Sequence, residues 1–560
     1  MVRRTRLRTM TVALPFGYEY GDGAAAQITR QIESISSHPA VNRILILHQN
    51  PQDRSLIAAS SEVLRKVRFI EIDAWLSGQS MQQVLDACDS DALLLMLNSS
   101  EVAFEPRSLE QFLASIEHGD AGLVYSDFRQ IRGSEVMEYP TIDYQLGSIR
   151  DSFDFGHLVV ISRGAAEQAL TKYGPLDPAF KWGGLYDLRL KISTDLPIVR
   201  IPEALYVKKA AAIRSAKTGQ ENGGQNICQV DTTDMDYQIE AEQILTAHLK
   251  RIGAYLEQGF SPLPPPALDS PVTASVIIPV YNREATIVGA IESALNQITS
   301  FSYNIIVVDD TSTDRTTQLV RQIADKHRKV IHKIPQRRDL GIGGLWNEAI
   351  YSPECGLYAV QLDSDDVYSH SRALETMVGA FRRPPGNSVA GACDTPRYAM
   401  VVGSYTYVDF DLKEIPQGLA QHRELSLENG RNNVLRLDGP GAPRAYYLPV
   451  LRRIGFPNVS YGEDYAVILR ISREYQIGRV FDSVCLVRQW EGNTSRSLPL
   501  GNIKSTSLKD IVPASLGNQQ EFILRMRPIL MPLVAATRNR YNAYKDYLRT
   551  VEIQARMNRH

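Results

Sequence analysis

One strand pattern that runs directly into a cluster of acids most constrains how this chain can fold. Leu357 to Leu362 is an apolar, strand-like run, and Asp363-Ser364-Asp365-Asp366 follows it without a break. A buried strand hides its apolar side chains, but the carboxylates cannot follow them inside without a cation or hydrogen bonds. Mg²⁺ and Mn²⁺ take carboxylate oxygens and leave other positions for phosphates. The pattern predicts a diphosphate site, or alternatively a solvated turn that caps the next helix.

Two upstream segments repeat this design. Ser275 to Asn282 is an apolar strand that closes on a polar turn, and a helical pattern from Ile287 to Leu295 follows it. Asn304 to Asp314 is a β-branched strand that runs into acids and hydroxyls. Ligands of open α/β sheets bind at the carboxyl ends of the strands. The segments therefore predict one site at a sheet edge rather than separate turns.

The segment from Ser275 to Ser497 resembles the family 2 glycosyltransferases, which have the GT-A fold. The family's Asp-x-Asp motif, which holds the metal and the donor diphosphate, matches Asp363-Ser364-Asp365. The resemblance therefore implies that Asp363 and Asp365 bind Mn²⁺ or Mg²⁺. The residues that it assigns to the nucleotide sugar are Pro279, Tyr281, Asn282, Glu284, Asp310, Asp363, Ser364 and Trp490.

A further motif, Tyr461-Gly462-Glu463-Asp464, precedes an amphipathic helical pattern. It resembles the family's Glu-Asp motif, which makes Asp464 the base that deprotonates the acceptor hydroxyl. Inverting transfer needs such a carboxylate on the sugar face opposite the departing diphosphate. The alternative is that both acids only stabilise the first turn of a helix, where negative charge contributes about 0.3–1 kcal/mol.

Two other features leave alternatives open. Leu340 to Ala349 resembles the family's Gly-rich turn, and its glycines indicate either a positive φ or direct ligand contact. Trp490 stands where the family often has a metal-binding His. A Trp cannot ligate a metal, so it packs, stacks on a sugar or donates its indole N–H to a phosphate, and Glu491 is the alternative ligand.

Composition bounds the class of protein. A chain of 560 residues is longer than one core usually serves, so at least two domains are expected. The net charge of −2 gives no reason to expect a nucleic acid partner. The five cysteines lack paired spacing, and no apolar run is long enough to span a bilayer. We expect a cytoplasmic protein, free or peripheral at the inner face of the membrane.

The first half of the chain repeats the strand pattern of the second. The matched segments are Thr11 to Pro15 with Ser275 to Pro279, Arg43 to Gln49 with Asn304 to Asp310, and Leu97 to Val102 with Leu362 to Val367. In this alignment Gln49 replaces Asp310, Asn98 replaces Asp363 and Ser100 replaces Asp365. Because the carboxylates are gone, the first half is predicted to lack metal-dependent transfer. Chance similarity of two α/β domains is the alternative.

The predicted fold class is α/β, with two tandem GT-A-like domains that have Rossmann-like, mostly parallel mixed sheets, and a helical C-terminal extension. The predicted segments are 1–260, a degenerate and non-catalytic GT-A-like domain; 261–272, a Pro-rich linker; 273–505, the catalytic domain; and 506–560, the extension. The first domain is expected to bind acceptor glycan, pair with the catalytic domain or stabilise it. A ligand groove in it would be lined by Asp120, Tyr125, Ser126, Asp127 and Asp187.

The predicted function is inverting, metal-dependent transfer of a sugar from a UDP- or GDP-sugar to a glycan, lipid-linked or small-molecule acceptor, in bacterial surface polysaccharide or glycoconjugate synthesis. Loops around Arg337, Arg338, Asp394 and Arg444 are expected to read the donor. The extension is expected to contact the membrane, or else to pack on the catalytic domain or in a homodimer. The alternatives are an inactive sugar- or nucleotide-binding scaffold and a nucleotidyltransferase.

Overall fold

A computed structural model describes residues 9–16, 24–49, 57, 59–132, 135–144, 148–209, 234–257, 259–266, 270–383, 395–426, 428–437, 441–460 and 462–490. The chain divides into two compact units, Met1–Ile252 and Gly253–His560. The predicted helical extension over residues 506–560 lies outside the described residues, as do Glu491 and Asp394. No helix in the described ranges is long and apolar enough to cross a membrane.

The first unit consists of one sheet and the helices that pack on it. Its strands are β1 (Met10–Pro15), β2 (Val41–His48), β3 (Val67–Glu71), β4 (Ala92–Met96), β5 (Val102–Phe104), β6 (Leu123–Arg132), β7 (Glu135–Tyr139), β8 (Leu158–Ser162) and β9 (Ile198–Lys208). Its helices are α1 (Ala24–Ser36), α2 (Ser61–Leu64), α3 (Gly78–Ala87), α4 (Ser108–Gly119), α5 (Arg163–Tyr173), α6 (Gly184–Ile192) and α7 (Met235–Arg251).

The second unit is built in the same way. Its strands are β10 (Ala274–Val280), β11 (Tyr303–Asp309), β12 (Val330–Lys333), β13 (Tyr358–Gln361), β14 (Val367–Tyr368), β15 (Met400–Val408), β16 (Glu414–Ala420), β17 (Arg444–Tyr447) and β18 (Ile477–Arg488). Its helices are α8 (Ile287–Leu295), α9 (Thr316–Lys326), α10 (Ile342–Ile350), α11 (Ala373–Ala380), α12 (Gly430–Asn433), α13 (Leu448–Ile454) and α14 (Glu463–Glu474).

The two sheets have the same strand order. The first runs β3-β2-β1-β4-β8-β6-β9-β5 with β7 beside β6, and the second runs β12-β11-β10-β13-β17-β15-β18-β14 with β16 beside β15. In each sheet the first four strands are parallel and the fifth is antiparallel to both of its neighbours. The predicted fold class, two tandem GT-A-like α/β domains, is confirmed.

The central strands are buried on both faces. Every residue of β10 and of β11 is buried, and their β-branched residues form the core of the second unit. This explains why the sequence shows continuous apolar runs instead of an alternation, as is usual for parallel strands covered by helices on both sides. The acidic side chains lie where the strands end, and the parallel neighbours β10, β11 and β13 end at one edge of the sheet.

The strand register supports part of the predicted repeat and reveals a difference in length between the units. Thr11 pairs with Arg43 as Ser275 pairs with Asn304, so the match of Gln49 with Asp310 agrees with the structure. However, Thr11 pairs with Leu93 on its other side, whereas Ser275 pairs with Ala359. On the far side of the segment that follows β4 and β13, Phe104 pairs with Tyr206 as Tyr368 pairs with Cys485, so the connection from β4 to β5 is two residues longer than the connection from β13 to β14. The predicted matches of Asn98 with Asp363 and of Ser100 with Asp365 fall within this segment of unequal length and stay predictions.

Candidate active site

A chain of four side chains joins two acidic segments at the carboxyl-terminal edge of the second sheet. Asp363 follows β13, and its Oδ1 accepts a hydrogen bond from Gln361 Nε2 at 2.8 Å. Gln361 Oε1 accepts from Arg444 Nε at 2.7 Å, and Arg444 Nη1 donates to Asp464 Oδ2. Arg444 is only 6% exposed. One buried guanidinium thus connects the predicted metal carboxylate with the predicted base.

The position of Arg444 differs from the prediction that it belongs to a loop that reads the donor. It is the first residue of β17, an otherwise apolar strand, and its side chain is buried against the acids. A charged residue in such a strand is unfavourable unless it is paired, so the sequence RAYY did contain a signal for a buried ion pair. What sequence reasoning could not supply is the partner, because Asp464 lies on a separate helix.

The remaining acids of the cluster have different surroundings. Asp366 is buried, and its Oδ1 accepts the backbone N–H of Arg488 at 3.0 Å, which ties the segment to β18. Asp365 is partly exposed, and its Oδ2 lies 3.3 Å from Trp490 Nε1 and 3.9 Å from Arg283 Nε. Ser364 is 8% exposed. Asp366 is therefore buried in a contact with the backbone of β18, whereas Asp363 and Asp365, the predicted metal ligands, are contacted by side chains.

Negative charge at this edge is in excess and partly desolvated. Burial raises the pKa of Asp363, and the pKa of Asp366 is also raised by burial and by the charge of Asp363. Burial together with the charge of Asp464 raises the pKa of Glu463 to about 8. A cation at this edge would relieve these unfavourable interactions. Within the described ranges, no group of three or more His, Cys, Asp or Glu is arranged to hold a metal.

Two carboxylates nevertheless fit a hard divalent cation of the Mg²⁺ or Mn²⁺ type. Such ions often take only one or two protein carboxylates and complete their coordination with water and substrate phosphates. Asp363 and Asp365 are separated by one residue and offer only oxygen donors. The donor chemistry therefore fits a metal that arrives with a diphosphate.

The ends of β10 and β11 carry the residues predicted to contact the nucleotide. Pro279 is buried within β10 and pairs with Val308, while Tyr281 beyond the strand is 52% exposed. Asp310 is partly buried, and burial together with the charge of Asp309 raises its pKa. Tyr281 and Asp310 are thus available to a ligand. Asp309 is fully buried; although burial would raise its pKa, hydrogen bonds hold that pKa at about 2.

Asn282 and Glu284 make their hydrogen bonds within the protein. Asn282, with a positive φ of 50°, accepts from the backbone N–H of Thr313 at 2.7 Å. Glu284 Oε2 accepts from the backbone N–H of Arg315 at 3.0 Å and from its Nε at 3.1 Å. These contacts join the loops after β10 and β11. The two side chains therefore hold the shape of the predicted nucleotide site.

The glycines of the Gly-rich turn do not have the positive φ that was one of the two predicted alternatives. Gly341 has φ −82° and ψ 178°, and neither Gly343 nor Gly344 has a positive φ. Instead, a Cβ on Gly343 would lie 1.9 Å from the carbonyl oxygen of Pro457. Gly341 N also donates to Asn458 Oδ1 at 2.9 Å. The glycines allow α10 to approach the backbone that leads to Glu463 and Asp464, and so they position the predicted base.

Gly343→Ala is expected to lower the free energy of unfolding by about 1–3 kcal/mol, because the added methyl group overlaps a backbone oxygen that cannot move without displacing the segment before α14. Equilibrium denaturation would measure the loss. Gly379→Ala, at a helical glycine with open space around its Cβ position, is the matched control, and it should be neutral or slightly stabilising. Equal effects of the two substitutions would contradict the packing explanation.

The equivalent edge of the first unit carries other residues. The segment that leaves β4 reads Leu97-Asn98-Ser99-Ser100, whereas the segment that leaves β13 in the second unit contains Asp363-Ser364-Asp365. Helices α6 and α14 match through their N-caps, Gly183 and Gly462, which places Leu185 opposite Asp464. The match of the helices is supported by two tyrosines that follow in them: Tyr186 donates to the carbonyl of Ile149 and Tyr465 to that of Val434. The first unit thus has no Asp-x-Asp sequence after β4 and no acid at the position of Asp464.

In the first unit, helix α7 contacts the backbone that immediately precedes α6. Glu240 accepts hydrogen bonds from the backbone N–H groups of Lys181, Trp182 and Gly183 at 2.8, 2.9 and 2.6 Å. Glu240 is 8% exposed. In the first unit, the backbone just before α6 is therefore bound by the carboxylate of Glu240. This segment corresponds to the backbone just before Glu463 in the second unit.

The groove predicted in the first unit is not formed by its five residues. Tyr125, Ser126 and Asp187 are buried, and Asp187 pairs with Lys191 at 2.7 Å. Asp127 pairs with Arg200 at 2.6 Å, and Asp120 lies at the end of α4. Asp127 and Asp187 thus pair with other side chains of the first unit instead of facing an open groove. A strand pattern in the sequence does not reveal such pairs.

Part of the second unit is similar to known proteins. Residues 275–430 match the family model "Glycosyl transferase family 2". The succinoglycan biosynthesis protein ExoO of Rhizobium meliloti is 38% identical over 108 residues, which are 19% of this chain and 30% of that protein. The chondroitin synthase of Escherichia coli is 36% identical over 109 residues, 20% of this chain and 15% of that protein. The chain thus spans less than a third of the length of these relatives.

Among solved structures, S. aureus TarS 1-349 in complex with UDP aligns with 47% of this chain and 71% of its own, at 19% identity and a TM-score of 0.30. The matched residues 275–430 contain the ends of β10, β11 and β13 with Asp310, Asp363 and Asp365. Residues 275–430 of the second unit are thus similar to the family 2 glycosyltransferases.

Proposed function

We propose that the second unit transfers a sugar, with inversion, from a nucleotide diphosphate donor to a hydroxyl group of an acceptor, and that it requires Mn²⁺ or Mg²⁺. The observation that carries this proposal is the chain from Asp363 through Gln361 and Arg444 to Asp464. It brings a carboxylate suited to a metal–diphosphate and a carboxylate suited to a base to one edge of one sheet. An acidic turn or a helix cap alone would not need this buried connection.

The donor would bind with its base between the loops after β10 and β11, next to Tyr281 and Asp310. Asn282 and Glu284 hold these loops together, which fixes the width of the site before the donor arrives. The diphosphate would then extend toward Asp363, Ser364 and Asp365. A metal bound there would neutralise the charge that grows on the leaving diphosphate.

Asp464 would accept the proton of the acceptor hydroxyl as its oxygen forms a bond to the anomeric carbon. The bond between that carbon and the diphosphate oxygen breaks, and the electron pair leaves with the nucleoside diphosphate. Because attack and departure occur on opposite faces of the sugar, the anomeric configuration inverts. Arg444 would keep the Asp464 carboxylate oriented toward the acceptor.

The relatives favour a polysaccharide or glycoconjugate product, since their names include succinoglycan biosynthesis and chondroitin synthase. The first unit would not catalyse transfer, because Leu185 stands at the position of Asp464 and the segment after β4, Leu97-Asn98-Ser99-Ser100, lacks the Asp-x-Asp carboxylates. We propose that it stabilises the chain or binds a partner. An acceptor glycan is one such partner, and its binding to the first unit would be independent of the chemistry of the second unit.

Removal of divalent metal is expected to abolish release of nucleoside diphosphate from the protein's donor. UDP-, GDP- and dTDP-sugars would each be incubated with the full chain in Mn²⁺ and in EDTA, and the released diphosphate quantified. We expect release from one nucleotide class, loss in EDTA and recovery when Mn²⁺ is restored in excess. Release that is unchanged in EDTA would contradict metal dependence, and no release from any donor would contradict the proposed function.

A further inference from the structure

An aromatic pair lies beside the acidic edge of the second unit. Phe410 follows β15, in the turn that leads to β16, and its ring centroid is 5.3 Å from that of Trp490 at an interplanar angle of 51°. Phe410 is 45% exposed. A single exposed apolar side chain is common and needs no explanation. An exposed ring that contacts a second ring next to a catalytic carboxylate is a more specific arrangement.

The pair is held against the carboxylates by several contacts. Trp490 Nε1 lies 3.3 Å from Asp365 Oδ2. Arg488 Nε donates to the carbonyl oxygen of Phe410 at 3.2 Å, and its Nη1 donates to the carbonyl oxygen of Asp365. The guanidinium carbon of Arg488 is 5.9 Å from the centroid of the Phe410 ring. Arg488 therefore links the backbone of the aromatic turn to the backbone of the metal motif.

The turn that carries Phe410 is closed by its own hydrogen bonds. Asp409 N donates to the carbonyl of Lys413 at 2.8 Å, and Lys413 N donates to Asp409 Oδ1 at 2.9 Å. A ring on such a closed turn needs little ordering when a ligand arrives. The two rings thus form a surface, the Phe410–Trp490 platform, that is continuous with the site proposed for the reaction.

We propose that the Phe410–Trp490 platform binds a pyranose ring of the acceptor, so that the acceptor is a cyclic sugar rather than an open-chain polyol. This inference rests on the proposed function. A pyranose has a flat face of C–H groups and a rim of hydroxyls, and it can bury that face on an aromatic ring while its hydroxyls reach polar groups at the edge. An open-chain polyol has no such face and would gain less from the platform.

The experiment compares acceptors that differ only in the head group. Transfer from the active donor would be measured to octyl glucoside, galactoside, mannoside and N-acetylglucosaminide, and to 1-O-octylglycerol. The variants are Phe410→Ala, Phe410→Tyr, which keeps the ring, and Phe481→Ala. Phe481 is 46% exposed on β18 and packs with Arg423 and Arg479, away from the acids, so it is the matched control.

We expect the unaltered chain to use at least one octyl pyranoside better than octylglycerol. Phe410→Ala should raise the KM for that pyranoside about tenfold more than the KM for the donor, whereas Phe410→Tyr and Phe481→Ala should stay within about twofold. Preference for octylglycerol, turnover of donor without transfer to any pyranoside, or an unchanged pyranoside KM in Phe410→Ala would overturn the platform. Absence of donor turnover in the unaltered chain would instead overturn the proposed function.

Discussion

Replacing Asp464 by Asn is expected to lower the rate of sugar transfer by about 10²–10⁴-fold, the usual contribution of a general base. The amide keeps the size of the side chain and an oxygen that can still accept from Arg444, but it cannot take the acceptor's proton. Donor binding should be retained, because the donor contacts that we propose lie at the ends of β10, β11 and β13. The measurement is kcat and donor Kd for both proteins.

Glu463→Gln is the matched control for this loss. The pKa of Glu463 is raised to about 8, so at pH 7 its carboxyl is mostly protonated and resembles an uncharged amide. The substitution should therefore change the rate far less than Asp464→Asn. If Glu463→Gln were the more damaging of the two, Glu463 and not Asp464 would be the base.

Arg444→Leu is expected to lower the free energy of unfolding by about 3–5 kcal/mol, because it removes the cation from a buried pair and leaves Asp464 near Asp363 and Glu463 without compensation. Denaturant unfolding of the second unit would measure this change. Arg315→Leu is the contrasting control, since the Arg315 side chain is 74% exposed and pairs with Glu284 at 3.1 Å.

The exposed pair should contribute no more than about 1 kcal/mol, because water screens both charges. Similar losses for the two variants would show that burial of Arg444 does not govern the interaction. A large loss for Arg444→Leu alone would support the connection on which the site is built, and the same variant should then have little transfer activity.

The acidic edge of the second unit could be predicted from sequence for a simple physical reason. The middle of a parallel strand buried on both faces disfavours carboxylates, so Asp310, Asp363 and Asp365 are expected where the strands end, and neighbouring parallel strands end together. The repeat in the first unit could also be predicted, because its apolar strands are visible in the local composition of the sequence. Both sheets then formed with one strand order.

Other features depend on contacts between segments far apart in the chain. The pairing of Arg444 with Asp464 requires a strand and a helix to meet, and the glycines of α10 are explained only by the approach of Pro457. The two residues added between β4 and β5 could not be seen in the repeat, because they leave the hydrophobic pattern unchanged. Packing and register decide these points, and periodicity contains little information about either.

The first unit shows that a GT-A-like sheet persists without its acidic edge. Its core strands remain fully buried, for example Leu93 and Leu94 in β4, while Leu97 and Ser99 follow them. Burial of apolar surface stabilises the sheet, and the polar residues beyond the strand ends contribute little to it. Loss of the carboxylates therefore does not require loss of the fold.

The central claim is tested most directly by thermal unfolding of three proteins: the unaltered chain, Asp365→Ala and Ser99→Ala. Each protein is measured with UDP-, GDP- and dTDP-sugars, with and without Mn²⁺. Ser99 lies in the segment after β4 of the first unit, as Asp365 lies in the segment after β13 of the second. Ligand at about 100 times its Kd adds roughly 2.7 kcal/mol. We predict a Mn²⁺-dependent shift for one nucleotide class that survives Ser99→Ala and disappears in Asp365→Ala. A shift lost in Ser99→Ala, retained in Asp365→Ala, or absent with every donor would contradict the account.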